Sequence, residues 1–180
     1  LLATAFVWQA WRPLPLWQML AWCNWCLPMG LLAALLPILL IPLLESSVGR
    51  RLHGLRVIRD NVESLLAPLL GHLRGPEMLA LSVLAGFSEE VFFRGVLQQE
   101  IGLLPSSLVF GLLHTVSLPY MLWAALVGLY LGWVLQLTQS LWVPIAAHSV
   151  IDLVGLCYIR FVVVPRCAVS RSVQGSSASC

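Results

Sequence analysis

Lysine is missing from this chain altogether, and charge of either sign is scarce, with only 10% of residues being Asp, Glu, Lys or Arg. All ten basic residues are therefore arginines, and the formal net charge is only +2. A soluble domain is usually about one quarter charged. This deficit excludes a basic face of the size that nucleic-acid binding needs, so no nucleic-acid partner is expected. What fills the space is apolar: 59% of residues are hydrophobic and the mean hydropathy is +0.90. A chain of 180 residues leaves much of its surface outside any core. Such a composition points to the bilayer as solvent and to an integral, multi-pass protein of the cell membrane or of an organellar membrane.

The five cysteines offer little chemistry. Cys23 and Cys26 form a CxxC inside a Trp-rich apolar run, with no second pair at zinc spacing, and read as small apolar fillers. Cys180 is the last residue, whereas a prenylated Cys stands fourth from the end. The sequence opens at Leu1 rather than Met, as expected of a fragment or of a chain that has lost an N-terminal segment. No charged region precedes the first apolar stretch, so it does not read as an intact signal peptide.

Hydrophobic runs and their breakers predict an all-α, polytopic bundle of transmembrane helices around an intramembrane polar cavity. Residues 16–44 are apolar almost throughout and exceed the roughly 20 residues a span needs, with Pro28 and Pro37 expected to kink them. Trp8, Trp11, Trp17, Trp22 and Trp25 resemble an interfacial aromatic belt. In 45–63, Leu52, Leu55, Ile58 and Val62 recur at helical spacing among Arg50, Arg51, Arg56 and Arg59. This pattern predicts an amphipathic helix on the membrane surface, on the cytoplasmic or equivalent side. Residues 65–73 are short and apolar, re-entrant or packed. Gly75-Pro76 opens a helix to about Gln99, Pro105 one to about Ser117, and Pro119 one to about Leu137. A last helix from Leu141 is expected to stop at Pro165, followed by a disordered Ser-rich tail. Three regions result: N-terminal segments with the surface helix (1–74), a core (75–165) and the tail (166–180). Gly128 and Gly132 form a GxxxG, a device for close approach of two helix backbones.

Against this background a few polar residues stand out. An ionisable side chain in a span costs roughly 2.5–3.5 kcal/mol by insertion scales and generally marks function. Glu90 and Arg94 are four apart and share a helix face, which suits an ion pair. Glu89 is turned by ~100° from Glu90 and is left to face a cavity. Phe110 with His114, and His148 with Asp152, repeat the spacing of four on two further helices. Singly, each pattern is satisfied by a helix end at the interface, a hydrogen-bonded core His or a local His–Asp contact. Together, Glu89, His114, His148 and Asp152 on three helices can converge on one inward cavity.

A carboxylate and an imidazole around one water make a general base, and a second imidazole can serve a developing oxyanion. This is peptide hydrolysis by activated water. Ser88 and Ser149 adjoin these residues without a nucleophile setting. The favoured mechanism requires no cofactor. The alternative is a zinc ion held by Glu89, His114 and His148, although no HExxH or comparable short signature is present. A small transporter or proton relay would use similar residues, but the chain has no inverted repeat.

At this point a family resemblance emerges. EEVFFR (89–94) resembles the EExxxR motif of the CPBP family, the CAAX proteases and bacteriocin-processing enzymes. FGLLH (110–114) is similar to its FxxxH motif and HSVID (148–152) to its HxxxN/D motif, in the family's order, and 140–148 resembles the lead into the last motif. The resemblance covers residues 78–164. It implies a helical membrane fold with a site reached from the bilayer, and Glu89 with His114 as the water-activating pair. It also implies His148 and Asp152 in the oxyanion hole, with Glu90, Arg94 and Phe110 in support. The partners it implies are the lipid bilayer and a membrane-associated peptide or protein, prenylated or not. The alternative is a non-catalytic scaffold or bacteriocin-immunity member of the same family. Eukaryotic prenyl endopeptidases carry Asn where this chain has Asp152, and an ionised Asp has no hydrogen to donate.

Overall fold

Leucine-rich segments punctuated by proline and glycine can satisfy their own backbone groups only as helices once water is absent. The computed structural model accordingly contains helices and no strand among the described residues, 1–168. The tail predicted to be disordered lies outside them from residue 169 onward, and 166–168 are helical. Helices α1 (Leu2–Trp11) and α2 (Leu16–Met19) precede the long α3 (Cys26–Glu45). Next come α4 (Ser47–Arg51) and α5 (His53–Asn61), with α5 running through a wide π turn (Val62–Leu66) into α6 (Ala67–Leu70). The core holds α7 (Gly75–Phe92), continued by a π turn (Phe93–Leu97) and α8 (Gln98–Ile101). It is completed by α9 (Leu103–Leu113), α10 (Leu118–Thr138) and α11 (Trp142–Tyr158).

Three helices are long and apolar enough to cross a membrane: Cys26–Glu45, Leu118–Thr138 and Trp142–Ala168. Their outward faces are leucines such as Leu32, Leu39, Leu126 and Leu137, all exposed in the isolated chain and suited to lipid tails. Trp11, Trp17, Trp22 and Trp25 are exposed in the N-terminal region.

Helix α11 is the hub, packed on α3, α7 and α10, while α10 also covers α9. Two glycines set the spacing around it. A Cβ on Gly30 of α3 would stand 2.5 Å from the Ala146 Cβ and 2.9 Å from the Val143 carbonyl oxygen. A Cβ on Gly86 of α7 would overlap Ser149 Oγ. Both crossings are thus as close as two backbones allow. The N-terminal region is tied on by polar contacts: Leu141 N donates to the Met19 carbonyl (2.9 Å), and Trp142 Nε1 to that of Leu20 (2.8 Å).

Several expectations need correction. Residues 16–44 are not one kinked span, because the chain turns between α2 and α3. Pro28 falls in the first turn of α3, where a missing N–H is harmless, and Pro37 and Pro42 are the interior prolines. Cys23 and Cys26 are not separate fillers but a disulfide across that turn. Helix α9 ends at Leu113, not near Ser117. Pro165 does not stop the last helix, which reaches Ala168. The π turn Ile159–Val163 immediately before it widens the backbone where the proline ring needs room. Residues 65–73 are packed, one of the two readings expected of them: Leu66 and Ala67 sit against Ile159, Val163 and Cys167.

The surface helix is amphipathic as expected, with Ile58 and Val62 buried and Arg56 and Asp60 exposed. It is also fastened to its neighbours. Asn61 Nδ2 donates to Ser117 Oγ (2.6 Å), and Arg59 pairs with Glu63 (2.9 Å) and lies 3.9 Å from Glu45. The Glu63 hydrogen bond raises the Arg59 pKa above its ordinary value, against the effect of burial and with help from the Glu63 and Glu45 charges. Arg166 and Tyr158 of the last helix reach the same Glu45 carboxylate.

Candidate active site

Helix α7 starts cleanly because Arg74 N donates to Glu77 Oε2 (2.8 Å) and Pro76 occupies the first turn. The Gly86 crossing then brings its next turn against α11. Glu90, fully buried, meets His148 there: His148 Nδ1 lies 2.6 Å from Glu90 Oε1. The same Oε1 is 2.9 Å from Arg94 Nη1, the intrahelical pair that the spacing of four predicted.

Arg94 is 2% exposed and held from three sides. Its Nη2 donates to the Gly128 carbonyl (3.0 Å), and its guanidinium lies 4.6 Å from the Phe110 ring centroid. One helical turn along, Gln98 Nε2 donates to the Gly132 carbonyl (3.1 Å). Gly128 and Gly132, the GxxxG glycines, stand at these contacts. They admit polar side chains to the α10 carbonyls, and a Cβ on Gly128 would stand 3.1 Å from Phe110 Cδ1 and 3.4 Å from Arg94 Nη2. At Gly132 a Cβ would overlap Gln98 Oε1 and Leu103 Cδ1. Gly132→Ala should therefore destabilise the folded protein by about 1–3 kcal/mol through overpacking. Gly155→Ala, with open space around its Cβ, should stabilise it by about 0.5–1 kcal/mol. Denaturation in detergent compares the two, and equal stabilities would contradict the packing.

Glu89 turns away from the Glu90 pair, as the helical angle requires. Its Oε2 is buried without a hydrogen-bond partner among the described residues and lies 4.0 Å from His148 Nε2. Asp152 approaches the same nitrogen, Oδ2 to Nε2 3.6 Å. His114 caps α9, and its Nδ1 is 2.7 Å from the Phe110 carbonyl oxygen. A carbonyl can only accept, so this nitrogen carries the proton and Nε2 of the neutral ring is left with its lone pair. Phe110 packs its ring 4.5 Å from that of His114 and 6.0 Å from that of His148.

A cavity of about 350 Å³ opens beside these groups. His114, His148, Asp152 and Tyr120 are among its polar lining residues, and Ile41, Leu66, Val127 and Leu156 among the apolar ones. The structure thus brings Glu89 and Asp152 to His148 and sets His114 on the cavity that His148 and Asp152 line, while Glu89 is not among its lining residues. Sequence reasoning missed two things. Glu90 pairs with Arg94 as expected but also holds His148, a contact between helices 58 positions apart. Tyr120 joins the site, and its only sequence signal is a phenol in the first turn of an apolar helix. Among the described residues no three His, Cys, Asp or Glu side chains are grouped to hold a metal ion. His148 Nδ1 and His114 Nδ1 are both already engaged.

Fold and site define a helical membrane protein with a glutamate–histidine cluster beside an apolar cavity. Residues 72–154, which contain all three motifs, match the family described as type II CAAX prenyl endopeptidase, Rce1-like. Over this segment, a little under half of its length, the chain is similar to that endopeptidase family. It is also similar to the uncharacterized protein YpbD of Bacillus subtilis (strain 168), at 43% identity over 89 residues. That alignment covers 48% of this chain and 47% of YpbD, so the chain spans about half the length of the relative. No solved structure matches it.

Proposed function

We propose that the protein is a multi-pass, CAAX-type intramembrane endopeptidase acting on a membrane-associated protein or peptide, with prenylated chains among the candidates. The observation that carries this reading is the juxtaposition beside the cavity. A partnerless buried carboxylate oxygen of Glu89 faces an imidazole whose other nitrogen is locked by Glu90. The apolar cavity beside it suits a lipid-embedded substrate. In this reading Glu89 and the Nε2 lone pair of His114 accept the proton of a water that attacks the scissile carbonyl. Glu90, fixed by Arg94, orients His148 as a carboxylate orients a catalytic imidazole. No step in this reading is routed through a metal ion.

The test is cleavage of prenylated and unmodified membrane-anchored peptides by the purified protein in nanodiscs, run in H₂¹⁸O. One ¹⁸O in the new carboxylate with no covalent peptide adduct at any time is the expected result. An acyl adduct would overturn the water mechanism, and no cleavage at all would favour a non-catalytic scaffold. Cleavage should survive exhaustive chelation, and recovery only with added zinc would reinstate the metal alternative.

Asp152 allows a finer prediction. Its oxygen faces His148 Nε2, a contact that an amide oxygen can also make. Asp152→Asn should retain activity within about tenfold, whereas Asp152→Ala should lose about 100-fold. An Asn variant as inactive as the Ala variant would require the negative charge itself.

A further inference from the structure

Hydrolysis through a tetrahedral intermediate needs a hydrogen-bond donor aimed at the developing oxyanion. The family resemblance puts His148 and Asp152 in that role. His148 commits Nδ1 to Glu90, and its Nε2 sits between the Glu89 and Asp152 carboxylates, at 4.0 and 3.6 Å. An ionised Asp152 has no hydrogen to give.

A third group does. The chain has three tyrosines, and two of them spend their hydroxyls inside the protein: Tyr130 on the Ala33 carbonyl (2.7 Å) and Tyr158 on Glu45. The Tyr120 hydroxyl makes no hydrogen bond to any described residue. Its side chain lines the cavity together with His114, His148 and Asp152, and it lies within the field of the Asp152 and Glu89 charges. Its backbone is well anchored. Ser117 Oγ accepts from Tyr120 N (3.4 Å) as the cap of α10, and the same oxygen accepts from Asn61 of α5 (2.6 Å). A phenol also stays protonated far above neutral pH when unperturbed, so it can donate without any change of charge.

We propose that Tyr120 is a further catalytic residue, its hydroxyl donating to the oxyanion formed from the scissile carbonyl. The inference rests on the hydrolase reading above. As water adds, its oxygen bonds to the carbonyl carbon, its proton passes to the Glu89–His114 pair, and the carbonyl π electrons move to the oxygen that Tyr120 stabilises. On collapse those electrons return, the C–N bond breaks, and the held proton goes to the leaving nitrogen. The Tyr120 proton stays on Tyr120 throughout.

Tyr120→Phe removes only the hydroxyl and is compared with the parent and with Glu89→Ala in nanodiscs. A kcat lowered about 100-fold with KM within about threefold is expected. Affinity for a peptidyl phosphonate, which mimics the tetrahedral state, should fall by a similar factor. Affinity for an uncleavable peptide should hold, a split that a merely structural role would not produce. Because both affinities are read on folded protein only, partial unfolding cannot imitate it. If kcat stays within threefold, or only KM rises, Tyr120 is not the donor while the hydrolase reading stands. If the parent itself does not cleave, that reading fails and the inference falls with it.

Discussion

Glu89→Gln should abolish turnover to the extent of about 10³-fold while leaving the protein folded and slightly more stable. General-base catalysis by a positioned side chain contributes typically 10²–10⁴-fold. The amide preserves the size of the side chain but cannot take a proton from water. Stability should move the other way. Glu89 Oε2 is buried with no hydrogen-bond partner among the described residues, so the native fold carries an uncompensated carboxylate oxygen at this point. Replacing the charge with a neutral amide lowers that desolvation penalty by about 1 kcal/mol. This pattern, strain kept for function, separates a catalytic acid from one that merely braces the bundle. Single-turnover cleavage and denaturation in the same detergent test both halves. Activity within tenfold of the parent, or a loss of stability, would remove Glu89 from the centre of the mechanism.

The second large effect lies at Arg94. Breaking a buried ion pair by deleting one partner is costly because the other charge stays buried, typically about 3–5 kcal/mol. Arg94 and Glu90 are 2% and 0% exposed, and Arg94 also bonds the Gly128 carbonyl and stacks on Phe110. Arg94→Met should therefore destabilise the protein by about 3–5 kcal/mol and also lose activity, since Glu90 would no longer be fixed against His148. Adding Glu90→Gln should restore part of the stability but not the activity. The double variant should thus show a favourable coupling, as expected of directly contacting groups. A destabilisation below about 1 kcal/mol in Arg94→Met would mean that the pair is solvated, contrary to its burial.

Much of this was readable from the chain before any coordinates. Proline and glycine positions placed the starts of α7 and α10, because Pro76 and Pro119 occupy first turns where a missing N–H does no harm. The spacing of four foretold the Glu90–Arg94 pair, and the helical angle foretold that Glu89 would face elsewhere. The ends were less legible. Pro165 was read as a stop, but the π turn before it carries the helix past, and whether a backbone widens depends on packing that no local pattern records. The 16–44 run was read as one span for a similar reason. Apolar residues permit a helix without saying where it breaks, and the break at 20–25 is held by contacts to the distant 140–142 turn.

Composition and periodicity by themselves determined that this is an all-α membrane protein and which ionisable residues stand out on its helices. Those properties follow from one-dimensional patterns, since hydrophobicity and helical angle are local. Only the tertiary structure decided that Glu90 holds His148 across 58 positions, that Gly128 and Gly132 open α10 to side chains, and that Tyr120 shares the cavity. Each of those depends on which helix faces meet and how closely, and that is fixed by shape-specific packing among apolar faces the sequence makes nearly alike.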